Sequence, residues 1–493
     1  MATARFEPGR NCWRVEHADR AAFLIDGDAY FKAFVAAAQK ARRSILIVGW
    51  DFHSRTRLLC GTPPQDCELE LGAFLNSLVK RNRQLQIHIL IWDYPVIFGV
   101  EREWAPIYGL GWKPRRRIHF RYDNTHPVGG SHHQKIVVID DAVAFNGGID
   151  LTSRRWDTCA HAANDELRVA QGTPYPPFHD LMMAVEGKAA SALGDLVRDR
   201  WLRATGETIL PATVRRSRWP ARRVREQGAS GESLWPESVD ADVRDVQVAI
   251  SRTQPPNGGD GGIREIEALF IDMIAAARRS IYVENQYFTA DAIGNALAQR
   301  LLEEDGPEVI VVVRRLSHGW LEELAMESRR AILVRKLRAA DRFDRLRVFY
   351  PHIEGLQEGT CIDVHAKLLI VDDDFVRIGS ANVANRSMGT DTECDLTICS
   401  SDPRHGNRPD VSVAARKLRS SLLAEHLGTT PQEVQAAVEC NGSLRGAIAQ
   451  LQSANRSLHE LTELPEVSET VLGIASVADP ERPVQVADLT RIF

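Results

Sequence analysis

Two copies of one short constellation carry groups that could perform nucleophilic and acid–base chemistry together. The first is His133-Gln134-Lys135 with Asp140, and the second is His365-Ala366-Lys367 with Asp372. Both read H-x-K-x4-D, and they align without a gap from His133/His365 to Arg154/Arg386 at a constant offset of 232. Each is followed by a small-residue turn, Gly147-Gly148-Ile149-Asp150 or Gly379-Ser380-Ala381-Asn382. In extended backbone, side chains two apart share a face, so each His lies beside its Lys. Two facing copies would bring two imidazoles and two ammonium groups into one pocket. The ammonium groups suit the non-bridging oxygens of a phosphodiester and the extra charge of a five-coordinate transition state. One imidazole can attack phosphorus while the other protonates the leaving alkoxide. An ordinary imidazole pKa of about 6.5 makes both protonation states accessible near neutrality. Asp140 and Asp372 lie five residues past the Lys, where each would orient a group or close a turn rather than touch substrate. A lone H-x-K would read as solvated surface; two copies that keep His, Lys and Asp while their apolar neighbours drift point to chemistry.

The elements that must position these groups are also repeated. Ala-Arg-Arg-Ser-Ile occurs at 41–45 and again at 277–281. Apolar residues at 266, 269, 270, 273, 274 and 277 predict one helix face, followed by a strand. Further strands are predicted at 85–93 and 308–314, ahead of the buried runs 136–139 and 368–371. The expected fold class is α/β: two pseudo-symmetric mixed-sheet lobes, residues 1–205 and 244–402, with the site at their interface. An Arg/Pro-rich linker is expected at 206–243 and a helical extension at 403–493, with a helix start at Thr429-Thr430-Pro431-Gln432-Glu433.

Composition bounds the function. The 493 residues exceed one ordinary core, and 44% hydrophobic with 26% charged residues is globular composition. A net charge of −5 gives no global attraction to nucleic acid, so no nucleic-acid partner is expected. No apolar run is long enough to span a membrane, and no signal peptide is visible, so a cytoplasmic or peripheral location is expected. The eight Cys form no C-x2-C pair, so no zinc site is signalled. Only Cys60 and Cys67 are close enough in sequence for a local disulfide, and reduced thiols are the default. The Arg run at 215–225, with Trp219 inside it, and the basic stretch 113–117 read as solvated loops, with an anionic lipid surface as the alternative. The oligomeric state is open, and a monomer is compatible.

The two motifs in this order resemble the phospholipase D superfamily. Gly147 to Leu151, Arg154-Arg155-Trp156-Asp157-Thr158 and Pro177-Phe178-His179-Asp180 are similar to the eukaryotic-type pattern in its first half. Glu284-Asn285-Gln286-Tyr287-Phe288, Ile378 to Asn382, Asn385-Arg386-Ser387 and Glu393 are similar to the second. The resemblance runs from about residue 20 to 402. It implies a phosphohistidine on one His, with the other as general acid and then base; by position His133 would be the nucleophile and His365 the acid. Lys135 and Lys367 would hold phosphate with Asn382, and Ser380, Gly148 and Asp150 are further substrate-binding candidates. Asp150 stands where many relatives carry Asn, so its phosphate contact would be weaker. Asp140, Asp372 and Glu393 would orient the catalytic groups, with His179 and Asp180 behind them, and His132 would be structural. The implied reaction hydrolyses a glycerophospholipid of phosphatidylcholine type, at a membrane surface, to phosphatidic acid and free headgroup, or transfers the phosphatidyl group to an alcohol. No cofactor or catalytic metal is called for, which leaves open an ion bound elsewhere. A cardiolipin synthase-like transferase, which would share the motifs but usually begins with membrane helices not visible here, is the alternative, and a nuclease of the same superfamily is another. With no lipid-binding module visible ahead of the core, membrane recognition is expected from the catalytic lobes.

Overall fold

The strands that follow the repeated pentapeptide, Ser44–Gly49 and Ser280–Asn285, are buried at every residue, as strands covered on both faces must be. In this computed structural model the described residues are 5–61, 69–93, 112–212, 233–256, 261–316, 320–402, 406–468, 473 and 478–483. The Arg run at 215–225 and Cys67 lie outside them.

One mixed sheet runs through both halves. From one edge it takes Ile118–Asp123, Gln86–Trp92, Ser44–Gly49, Ile136–Ile139, Val143–Gly147, Leu181–Glu186 and Arg14–Ile25. It continues with Val243–Gln254, Glu393–Cys399, Phe375–Gly379, Lys367–Val371, Ser280–Asn285, Glu308–Val313 and Leu346–Ile353. The second series repeats the first in reverse, which is what a two-fold between two copies requires. The seam is the antiparallel pair Arg14–Ile25 and Val243–Gln254, in register from Arg14↔Ile250 to Ala21↔Val243.

Helices Lys188–Thr205 and Pro409–Leu427 cover one face of both halves, over a shared core that includes Leu46, Leu193, Leu368 and Leu422. The opposite face has two cores. One lies under Asp26–Gln39 and Leu71–Arg81, the other under Glu265–Ala276, Asp291–Leu302 and Trp320–Ala340. The shared core makes the halves one packed body, so groups from both can be held in fixed register. Among the described residues, no helix is long and apolar enough to cross a membrane.

The seam strand Arg14–Ile25 was not anticipated, because its Arg, Glu, His and Asp residues break the apolar alternation. The C-terminal extension is not purely helical: after three helices, Arg456–Glu460 pairs antiparallel with Leu346–Ile353 at the sheet edge. The helix start at Thr430 is a capping box with Glu433. In the basic stretch 113–117, Arg117 donates to the carbonyls of Val79, Asn82 and Leu85, at and just beyond a helix end.

The motif aspartates are structural. Asp140 accepts backbone N–H bonds from Arg42, Arg43 and Ser44 at 2.6–2.7 Å. Asp372 accepts from Arg278, Arg279 and Ser280 at 2.7–2.9 Å. Each motif aspartate thus caps the backbone of one copy of the pentapeptide. Both aspartates have left-handed backbone (φ 52° and 53°), which Asp tolerates better than most residues. Each ends its strand about 20 Å of extended chain from its His, so the expected role in orienting the catalytic groups is corrected. Asp372→Ala should cost about 3 kcal/mol of stability, from three lost charged acceptor contacts. The folded fraction should keep its turnover rate. Lost turnover at an unchanged melting temperature would return Asp372 to the chemistry.

Candidate active site

Each motif histidine is oriented by a carboxylate from the other half. His133 Nδ1 lies 3.0 Å from both Glu393 oxygens. His365 Nδ1 lies 2.6 Å from Asp180 Oδ2. Asp180 and Glu393 occupy equivalent places, two residues before Met182 and Asp395, which pair with Gly147 and Gly379. The backbone repeats the exchange: His133 N–H donates to the Thr392 carbonyl at 3.0 Å, and His365 N–H to the His179 carbonyl at 2.7 Å.

The seats of the two carboxylates differ. Ser380 and Ser387 hydroxyls donate to Glu393 at 2.5 and 2.8 Å. At the position equivalent to Ser380, Gly148 has no side chain; a Cβ there would come within 2.2 Å of Asp180. Ser380 and Gly148 therefore seat the carboxylates, which corrects their expected role as substrate contacts. Asp150 is corrected as well. Its Oδ2 pairs with Lys135 Nζ at 3.3 Å, and its Oδ1 accepts from Trp50 and Asp51 N–H. Asn382, its counterpart, is buried, and its Oδ1 has no partner among the described residues. Lys367 instead donates to Gln286 Oε1 at 3.2 Å. His179 is fully buried behind Asp180, and His132 bonds Thr392 and lies 3.1 Å from Asp123, away from the other motif groups.

The charges converge. Burial holds His133 well below the usual imidazole range, and Lys135 and Lys367 push the same way. Burial does the same to His365, with Lys367, Arg155 and Lys135 adding to it. Burial, with Asp391 next, pushes Glu393 up to about 8. An imidazole that donates from Nδ1 to its carboxylate keeps an Nε2 lone pair, and the same pair with one more proton presents Nε2–H. Each histidine–carboxylate pair can thus serve as nucleophile or as acid.

Arg155 and Gln286 were not read as site residues, although both stand inside quoted family stretches; Arg155 sits 5.0 Å from the Phe178 ring, which lies 5.3 Å from the His365 ring. A separate cleft of about 440 Å³, lined by residues including His53, Arg57, Arg154 and Tyr175, contains none of the four motif side chains.

With this geometry, the sequence profile of phospholipase D matches residues 116–298 and 349–465, more than half of the chain. The chain belongs to the phospholipase D superfamily. A second profile, the phospholipase D-like domain of cardiolipin synthase, matches residues 270–405. Phospholipase D A of Dictyostelium discoideum is 24% identical over 486 residues, covering 83% of this chain and 35% of its own length. Phospholipase D alpha 1 of Zea mays is 24% identical over 549 residues, covering 85% of this chain and 66% of its own. The chain thus spans less than two thirds of these relatives. Its fold is shared with a phosphatidylserine synthase of Haemophilus influenzae Rd KW20, at a TM-score of 0.55 and 15% identity over 89% of this chain and 96% of that one.

Burial, opposed by Asp180 and reinforced by Lys135, lowers Lys367 to about 7. Its charged form, which binds anions, is complete below that value and is lost above it; a bound anion pulls the value back up. Sulfate, which does not titrate here, should therefore bind more weakly as pH rises from 7 to 9, with proton uptake at pH 8. Calorimetry in buffers of different ionisation enthalpy measures that uptake; binding at pH 8 with none would contradict this account of Lys367.

Proposed function

We propose that this chain is a phosphodiesterase that cleaves glycerophospholipids, of phosphatidylcholine type, on the headgroup side of the phosphate. The observation that carries the reading is the pair of histidines, each held at Nδ1 by a carboxylate of the opposite half and flanked by two lysines. His133 Nε2 attacks phosphorus while Lys135, Lys367 and Asn382 hold the non-bridging oxygens. The bond from phosphorus to the headgroup oxygen breaks, and His365 Nε2–H gives its proton to the leaving alkoxide. His365, now neutral, takes a proton from water, whose oxygen displaces the histidine nitrogen and releases phosphatidic acid. An alcohol in place of water gives a phosphatidyl alcohol. Superfamily membership and the names of the relatives support a phosphodiesterase; lipid, headgroup and acceptor belong to the proposal, as does a peripheral encounter with membrane.

A phosphatidyltransferase is the second reading. The profile match at residues 270–405 favours it, and it uses the same intermediate with a lipid alcohol as acceptor.

Incubation with phospholipids and with nucleic acid, with mass spectrometry of the products, tests the substrate. Ethanol should divert phosphatidic acid to phosphatidylethanol. His133→Ala and His365→Ala should each lower turnover by a hundredfold or more, the order of one lost catalytic role. Cleavage of nucleic acid alone, or a single mutant keeping more than about a tenth of the rate, would overturn this reading.

A further inference from the structure

Behind the catalytic pair lies a second constellation that the proposed chemistry does not use. Asp26, His161, His179 and Glu425 are all buried, and one ligand atom from each lies within 4.8 Å of the others. His161 Nε2 is 2.8 Å from Glu425 Oε1 and 3.5 Å from Asp26 Oδ2. His179 Nδ1 is 3.0 Å from Asp26 Oδ1 and 2.9 Å from Glu425 Oε1. Four ligands at ordinary zinc distances around a tetrahedral ion stand about 3.3–3.5 Å apart, close to these separations.

Hydrogen bonding alone does not complete the cluster. Each of the two ring nitrogens faces two carboxylates but carries at most one proton. Asp26 Oδ2 is left without a hydrogen-bond partner, although Asp26 is fully buried. Asp26 is also held at φ 67°, an uncommon backbone for a residue other than glycine. The outer nitrogens are just as specific. His161 Nδ1 lies 3.0 Å from Asp157 Oδ2, and His179 Nε2 lies 2.6 Å from Glu284 Oε2. These carboxylates are themselves anchored: Asp157 by Arg168 and the Phe178 N–H, Glu284 by His426 and Tyr282. A carboxylate on the far nitrogen of each histidine is the arrangement that fixes tautomer and ring direction in metal ligands.

We propose that Asp26, His161, His179 and Glu425 bind one transition-metal dication of the zinc type. Two carboxylates and two neutral imidazoles leave the site electrically neutral around the ion, and mixed nitrogen and oxygen donors suit such a metal. Cys159, an exposed residue, places its thiol against the Asp26 and Glu425 carboxylates. The ion ties the helix Pro409–Leu427, which carries Glu425, to the first half. It also fixes His179, whose carbonyl accepts the N–H of His365 and whose neighbour Asp180 orients that ring. Its role is positional.

The test needs no lipid, so it is independent of the proposed reaction. Protein purified without chelator should retain about one equivalent of zinc or a similar metal by elemental analysis. Stripping it with chelator should lower the melting temperature, and adding Zn2+ should restore it. Co2+ should give the visible ligand-field bands of a low-coordinate site. Asp157→Asn, which leaves all four proposed ligands in place, should weaken Zn2+ binding by about 10–100-fold. Glu425→Gln should weaken it further. If either variant fails to fold, the Co2+ spectrum and metal content of the unmodified protein decide. No metal in the purified protein, with no melting shift on Zn2+ addition and no Co2+ bands, would overturn the site. Unchanged Zn2+ affinity in folded Glu425→Gln would do the same.

Discussion

Neither half of this molecule can complete its own histidine. Glu393 reaches His133 across the seam and Asp180 reaches His365 the other way, with the same backbone hydrogen bond beside each. A neutral imidazole in a buried pocket needs its Nδ1 proton fixed, or the nitrogen facing substrate can be of the wrong kind. Here the fixing group comes from the opposite copy, so the chemistry depends on the two halves being locked in register. The seam strands and the shared core under Lys188–Thr205 and Pro409–Leu427 supply that lock.

The same dependence explains the division of labour inside the repeated motif. Its His and Lys face the pocket, whereas its Asp holds the backbone that starts the neighbouring strand. The aspartate is kept because the strand must begin in one place, which sets where the His at its other end can stand. Burial lowers both lysines, but their hydrogen-bonding partners differ. Asp150 neutralises Lys135, and its counterpart Asn382 leaves Lys367 against the neutral Gln286. The pocket therefore has one lysine already paired and one whose charge is most useful once an anion is bound.

The sequence made the local features legible. H-x-K, the 232-residue offset, the helix at 265–276 and the strands near 86–92 and 308–313 follow from spacing and period. The partnerships were not legible, because they join residues far apart in the chain. Glu393 and His133 are 260 residues apart, and nothing in either neighbourhood names the other. Gly148 and Ser380 were expected as substrate contacts along with the family resemblance; the space beside them is taken by carboxylates. The cluster at Asp26, His161, His179 and Glu425 had no spacing pattern at all, because its members lie on four separate segments of the chain. Asp140 and Asp372 were half legible: the repeated pentapeptide was visible, but not that its amides were their partners.

The exchange of carboxylates is tested most directly with a phosphatidyl ester of p-nitrophenol, a leaving group that needs no general acid. If Glu393 serves His133 and Asp180 serves His365, the variants fall into two classes. His365→Ala and Asp180→Asn should still release a first burst of nitrophenol and leave phosphorus on the peptide containing His133. His133→Ala and Glu393→Gln should show neither burst nor trapped peptide. A burst in Glu393→Gln that matches His365→Ala, with phosphorus trapped on His133, would contradict the cross-half partnership on which the account rests.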